Sequence, residues 1–144
     1  MNARAEWALR IGLGLTYVYS GYDLVRNPTA WHWALPLWLR DLITAFVDIN
    51  IYLRLQGAAE IVLALVLLAW FLKPRMVRVA AFIATLEFAA ILAIAFAPFR
   101  EANFLIIFRD VGLLGAALAL FLVSGRPRGI TEGAHLPRRA GLRA

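Results

Sequence analysis

The residues best suited to chemistry in this sequence are ionisable side chains embedded in long apolar stretches. They are Asp23, Arg54, Glu60, Glu87, Arg109 and Asp110. A charged side chain near the centre of a bilayer costs roughly 2.5–3.5 kcal/mol on insertion scales, so such residues are normally paired or functional. Four acids and two bases leave an excess of negative charge, which favours entry of water or protonation of a carboxyl. Glu87 lies deepest and is the predicted proton-accepting group.

Three uncharged polar side chains are expected to share the interior with these groups. Gln56 lies four residues before Glu60, so the two occupy one helical face. Tyr17 and Tyr52 are the aromatic residues predicted to line the same space. The pattern therefore predicts one polar pocket in the outer half of the bilayer.

The basic residues within the apolar stretches have two expected roles. Arg54 and Arg109 are the predicted counter-charges of the neighbouring carboxyls. Arg10 lies near one end of its stretch and is expected to extend to the membrane surface. Two interpretations of the charges remain open. They lock the helices together, or they form a pocket that binds or transfers a ligand.

The composition excludes several kinds of chemistry. There is no cysteine, which excludes disulfides, thiolate nucleophiles and iron–sulfur clusters. His32 and His135 lie outside the apolar stretches, so neither a haem held by two histidines nor another metal site is predicted. The net charge of +6 comes from basic residues in short connections and a tail, without the basic and aromatic surface of a nucleic-acid-binding protein.

The apolar stretches are long enough to cross a membrane. The chain has 144 residues, of which 62% are hydrophobic, and its mean hydropathy is +0.73. About 20 mostly apolar residues span the hydrocarbon as a helix. Four segments meet this length, at residues 7–25, 51–72, 77–97 and 104–123. We therefore predict an all-α integral membrane protein with a four-helix transmembrane bundle in residues 1–125 and a disordered or membrane-bound tail in 126–144.

The distribution of Lys and Arg predicts the orientation. Nine of these residues lie at the N-terminus, around Lys73 and in the tail, whereas three lie in the other two connections. The positive-inside rule places the first group in the cytoplasm. Both termini are then cytoplasmic, in a plasma membrane of the bacterial type, and the first span is expected to be a retained helix rather than a cleaved signal peptide.

The long connection at residues 27–50 carries an amphipathic pattern. Its apolar residues at helical spacing are Trp31, Leu35, Trp38, Leu42, Phe46 and Ile49, and Pro36 divides the segment. Tryptophan is favoured where lipid meets water. The pattern predicts an extracytoplasmic interfacial helix between the first two spans. Its role is either an anchor or a lid over the pocket.

The whole arrangement resembles the DoxX family of four-helix membrane proteins. The matching residues are Arg10-x-x-x-Gly14, Ser20–Gly21, Gly57-x-x-Glu60, Arg78 with Ala80–Ala81, and Asn103–Phe104 followed by the small residues of 112–120. The family relative DoxD is the membrane subunit of a thiosulfate:quinone oxidoreductase, and other members resemble membrane partners in redox or oxidative-stress assemblies. The resemblance thus implies a redox protein partner and contact with a quinone, with no covalently bound cofactor.

Three functions follow from the residues and this resemblance. The first is a membrane subunit of a redox assembly, whose polar pocket handles protons or binds a quinone carbonyl. The second is a noncatalytic scaffold or assembly factor. The third is a small proton-coupled transporter. Whether the chain is an enzyme, and its oligomeric state, stay open at this point.

Overall fold

The computed structural model describes residues 3–96 and 104–124, whose regular structure is entirely helical. The helices are α1 (Ala3–Arg26), a 3-10 helix (Pro28–Ala34), α2 (Leu37–Thr44), α3 (Ile49–Leu68), α4 (Pro74–Phe96) and α5 (Phe104–Ser124). The predicted all-α class is confirmed. The predicted connection at Pro98–Asn103 and the basic tail at 126–144 lie outside the described residues.

The four long helices contact one another in a closed ring. Helix α1 packs along α3, α3 contacts α4, α4 packs along α5, and α5 returns to α1. Each predicted span falls on one of these four helices. We call the half of the ring near residues 69–73 the turn half, and the half near residues 27–48 the loop half. Two helices, Ile49–Leu68 and Pro74–Ile94, are long and apolar enough to cross a membrane by length and composition.

The turn half contains the main apolar core. Its buried residues are Leu13, Tyr17, Ala64, Leu67, Val77, Ala80, Ala81, Ala84, Phe88, Ala117 and Leu120. Five of these eleven are alanines, and small residues let helix backbones approach closely. The helices therefore approach closely at the alanines, while many other large apolar side chains of the same helices are exposed.

Glycine sets the distance between α1 and α3. A Cβ atom on Gly57 would lie 2.6 Å from the carbonyl oxygen of Gly21, and one on Gly21 would lie 2.7 Å from the carbonyl oxygen of Gly57. Neither position can hold a side chain without moving a backbone. By contrast, Gly112 and Gly115 of α5 make no such close contact, because an added Cβ would meet no described atom within 4 Å.

Helix α3 ends at Leu68, four residues before the end of the predicted span at 51–72. Ala69 takes an extended conformation, and Arg10 of α1 binds the end of the helix. Its Nε donates to the carbonyl of Leu67 at 2.7 Å, and its Nη2 donates to that of Ala69 at 2.6 Å. Arg10 is only 5% exposed, so the expectation that it extends to the membrane surface was wrong. A cation here satisfies carbonyls that lack partners within the helix.

The loop half is covered by the 3-10 helix and α2. Asp48 caps the start of α3, accepting a hydrogen bond from the backbone nitrogen of Asn50 at 2.8 Å. Leu24, Ile49 and Leu53 form a small apolar cluster, against which Trp31, Leu35, Ile43 and Tyr52 pack. The row of apolar residues predicted to form one face of an interfacial helix is thus divided. Trp31, Leu35 and Ile49 face inward, whereas Trp38, Leu42 and Phe46 are exposed, because Pro36 starts a new helix with a different rotation.

Candidate functional site

A cluster of polar side chains joins α1, α3 and α4 on the loop side of the main core. At its centre is Glu87 of α4, whose two carboxyl oxygens both accept hydrogen bonds. Tyr17 of α1 donates its hydroxyl to Oε2 at 2.9 Å, and Gln56 of α3 donates its Nε2 to Oε1 at 2.5 Å. One carboxyl group therefore links three helices.

Glu60 supplies a second carboxyl to the same cluster. The hydroxyl of Ser20 on α1 donates to its Oε2. Gln56 lies one helical turn before Glu60 on the same face of α3 and binds Glu87, so the two glutamates lie on either side of its amide. We call the set Tyr17, Ser20, Gln56, Glu60 and Glu87 the polar cluster.

Burial varies across the polar cluster. Tyr17 and Glu60 are 2% and 7% exposed, respectively, and Tyr17 also packs against the ring of Phe88 at a centroid distance of 5.5 Å. Gln56 and Glu87 are only half-buried. Their hydrogen bond bridges α3 and α4, so the partly accessible members of the cluster lie where these two helices meet.

The polar cluster contains no cation. Its donors are a phenol, a hydroxyl and an amide, all of them neutral. The expected counter-charge roles are therefore corrected. Arg54 is exposed and makes no hydrogen bond or ion pair with another described residue, and Arg109 is bound to its neighbour Asp110 at 3.2 Å with its own side chain 62% exposed.

The rotation of the helices explains these positions. Successive residues of a helix are separated by about 100°, so Arg54 points away from the face shared by Gln56 and Glu60. Arg109 likewise points outward, because the next residue, Asp110, points inward and is only 7% exposed. Of the three carboxyls expected to pair with Arg109, the structure gives it only Asp110.

Two other predicted residues lie outside the polar cluster. Asp23 accepts hydrogen bonds from the side chains of Asn27 at 2.9 Å and Trp31 at 2.8 Å, so it fixes the start of the loop. Tyr52 packs with the apolar cluster around Leu53. Both residues hold the loop half in place rather than contributing to the carboxyl pair.

Sequence reasoning did not assign Ser20 to the pocket. The signal was present, because Tyr17 and Ser20 are three residues apart and so share a face of α1, next to Gly21. The role of Arg10 as the cap of α3 had no comparable signal, since its acceptors are backbone carbonyls 57 and 59 residues away.

The chemistry of the polar cluster is that of proton exchange and hydrogen bonding. Each carboxyl can bind or release a proton. Tyr17 and Gln56 can donate hydrogen bonds to a ligand acceptor that takes the place of Glu87. Within residues 3–96 and 104–124, no three His, Asp or Glu side chains are placed to hold a metal ion. Comparison of the chain with protein-family models, curated proteins and solved structures finds no match.

Proposed function

We propose that the chain is a four-span integral membrane protein with the turn half on the cytoplasmic side. The support is the apolar surface of the long helices. In the most apolar windows of α3 and α4 only 33% and 28% of the residues are buried. Large apolar side chains are exposed on all four long helices, among them Leu15, Leu55, Leu65, Leu86, Leu118 and Leu122. Such extensive apolar surface is typical of contact with a membrane.

The membrane placement can be tested by chemical labelling. The chain has no cysteine, so single-cysteine variants need no background changes. Arg40→Cys in α2 and Lys73→Cys in the turn should react with an impermeant maleimide from opposite sides of the membrane, Arg40→Cys from the outside. Labelling of both from one side would contradict the four-span topology. Labelling of neither before lysis would contradict the outward position of α2.

Within this membrane protein, the polar cluster is proposed as a proton-exchanging site that contacts a quinone. The observation that carries this proposal is the carboxyl pair, beside which residues 3–96 and 104–124 place no bound cation. In a medium of low dielectric constant two adjacent negative charges are strongly unfavourable, and binding one proton removes the repulsion. A purely structural charge would instead be expected to have an opposite charge beside it.

The chain's role in this proposal is that of a membrane subunit in a redox or oxidative-stress assembly. A quinone that is reduced takes up two electrons and two protons. In this proposal the electrons come from a separate redox protein, because the chain has no cysteine and its two histidines lie outside the apolar stretches. Glu87 and Gln56 are half-buried where α3 meets α4, and this partial exposure is the route by which a lipid-soluble quinone would reach them. The resemblance to the DoxX family supports the same role.

Mass spectrometry of the gently extracted protein tests this role directly. We expect co-purified quinone and a redox partner with the original chain, and loss of the quinone in Glu87→Gln. Asp41→Asn is the matched control, because it also neutralises one acid but lies on the exposed surface of α2. Equal quinone in both variants, or none in the original chain, would contradict the proposal.

A noncatalytic scaffold is the second proposal, since the bonds of the polar cluster already connect three helices. Infrared difference spectra between low and high pH separate the two roles. Proton exchange requires a carboxyl band that is present in the original chain and altered in Glu87→Gln and Glu60→Gln. A scaffold requires only that these variants lose stability.

The described core of the turn half is apolar, and for this reason we do not extend the proposal to transport.

A further inference from the structure

A second feature of the molecule lies at the opposite end from the polar cluster. The first turns of α4 and the last turns of α5 form a groove of about 260 Å³, lined by Arg75, Arg78, Val79, Phe82 and Phe121. The groove has two chemically different parts. Two guanidinium groups lie towards the start of α4, and apolar side chains continue along the helices.

The basic part of the groove carries positive charge that the described residues do not neutralise. Arg75 and Arg78 are exposed and form no ion pair with a carboxylate in residues 3–96 or 104–124. The guanidinium of Arg78 lies 4.9 Å from the ring centroid of Phe121, which positions it over the groove. The amino terminus of α4, which begins at Pro74, adds the positive end of a helix dipole to the same place.

The apolar part of the groove continues directly from the arginines. The rings of Phe82 and Phe121 lie 5.5 Å apart, and Val79 extends the same surface. Phe82 is 45% exposed and Val79 is 54% exposed, so this surface is open to whatever surrounds the helices. In the proposed membrane it would face lipid chains.

The adjacent turn places this groove at the level of the lipid headgroups. Trp70 and Phe71 are 80% and 74% exposed, and Lys73 follows them. Exposed tryptophan next to basic residues is typical of the boundary between hydrocarbon and water. The arginines therefore lie where phosphate groups occur, and Phe82 lies one to two turns deeper.

We propose that this groove binds one anionic phospholipid of the cytoplasmic leaflet. Arg75 and Arg78 bind its phosphate, and one acyl chain lies against Val79, Phe82 and Phe121. Two guanidinium groups suit a phosphate because each can donate paired hydrogen bonds to its oxygens. The inference uses the membrane placement proposed above but does not depend on the polar cluster.

The test is lipid retention by the full chain. The protein is incubated with phosphatidylglycerol or phosphatidylcholine in mixed micelles, and bound lipid is counted by native mass spectrometry. We expect one phosphatidylglycerol to be retained over phosphatidylcholine. In the double variant Arg75→Gln/Arg78→Gln this preference should fall on the order of tenfold, since each basic residue near the surface contributes to binding of anionic lipid.

Two control variants keep this test specific. Arg40→Gln/Arg54→Gln removes the same charge from the loop half and should retain the lipid like the original chain. Arg75→Lys/Arg78→Lys keeps the charge and should retain most of the preference, which separates binding from a loss of folding. Helix content by circular dichroism should be unchanged in all three variants.

The outcomes that overturn the proposal are distinct. Equal retention in the two Gln double variants would place the lipid elsewhere. Displacement of the lipid by inorganic phosphate would indicate a site for a free anion, and binding of an acidic protein segment in its place would indicate a docking site. If labelling at Arg40→Cys and Lys73→Cys shows the expected topology, any of these results contradicts the lipid site alone. A failed topology contradicts the membrane placement itself.

Discussion

The two halves of the helix ring differ in the kind of side chain that lies between the helices. In the turn half, alanines and leucines pack into an apolar core, and Arg10 closes the end of α3. In the loop half, the same helices place two carboxyls and their neutral donors between them. The turn half therefore joins its helices mainly through apolar packing, whereas the loop half joins them through hydrogen bonds between polar side chains. Each of the following substitutions tests one side of this comparison.

The largest effect is expected for Arg10→Leu in the turn half. The substitution removes the donor from the buried carbonyl of Leu67 and from the partly buried carbonyl of Ala69. The free energy of unfolding should fall by about 3 kcal/mol, since each lost charge-assisted hydrogen bond is worth about 1.5–3 kcal/mol. Denaturation in mixed detergent micelles measures the change. Arg4→Gln, at an exposed position of the same helix, is the control and should have little effect.

Gly57→Ala should have the next largest effect. The new methyl group would collide with the backbone of Gly21, and overpacking costs about 1–3 kcal/mol. The matched control is Gly112→Ala, where nothing lies within 4 Å of the new atom. Because alanine favours the helix by about 1 kcal/mol over glycine, the control should be neutral or stabilising. Similar melting temperatures for the two variants would show that α1 and α3 are not held at this contact.

Tyr17→Phe sharpens the comparison within the polar cluster. The phenyl ring keeps its packing against Phe88 but no longer donates to Glu87, which should lower the free energy of unfolding by about 1 kcal/mol. The infrared band of the carboxyl groups should also change. Tyr19→Phe, on the exposed face of α1, should change neither quantity. A changed stability with an unchanged infrared band would assign Tyr17 to packing alone.

The smallest effect is expected for Arg109→Gln. The side chain of Arg109 is 62% exposed although its partner Asp110 is buried, and an ion pair that water reaches in this way contributes about 1 kcal/mol or less. Quinone retention should also be unchanged, since Arg109 does not contact the polar cluster. Loss of the quinone in this variant would restore Arg109 as a member of the site.

Much of the fold follows from hydropathy, because a run of apolar residues of membrane length identifies a helix without knowledge of its neighbours. The predicted spans therefore fall on the four long helices. Their ends were less accurate, since α3 is stopped by Arg10, a residue distant in sequence. The rotation of α2 also escaped prediction, because Pro36 interrupts the stripe on which the prediction rested.

The sequence analysis assigned residues to the site by their expected depth in the membrane. Depth alone is insufficient, because it does not say which way a side chain points. Glu60, Glu87, Gln56 and Tyr17 were placed together, whereas Arg54 was included although it lies about 200° around the helix from Gln56. Adding the helical angle to the depth would have excluded it. Which helices are neighbours could not be read from hydropathy, so the bond from Tyr17 to Glu87 needed the structure.

The position of Glu87 on α4 has a consequence for biogenesis. Helices α1 and α3 leave the ribosome first and can pair through Gly21 and Gly57 before α4 is synthesised. Until then Gln56 and Tyr17 lack the carboxyl that they bind in the finished protein. The arrival of α4 completes these bonds, and a chain truncated before Glu87 would expose unpaired polar groups to lipid. In the proposed membrane, these unpaired groups would allow quality-control proteases to distinguish the fragment from the finished protein.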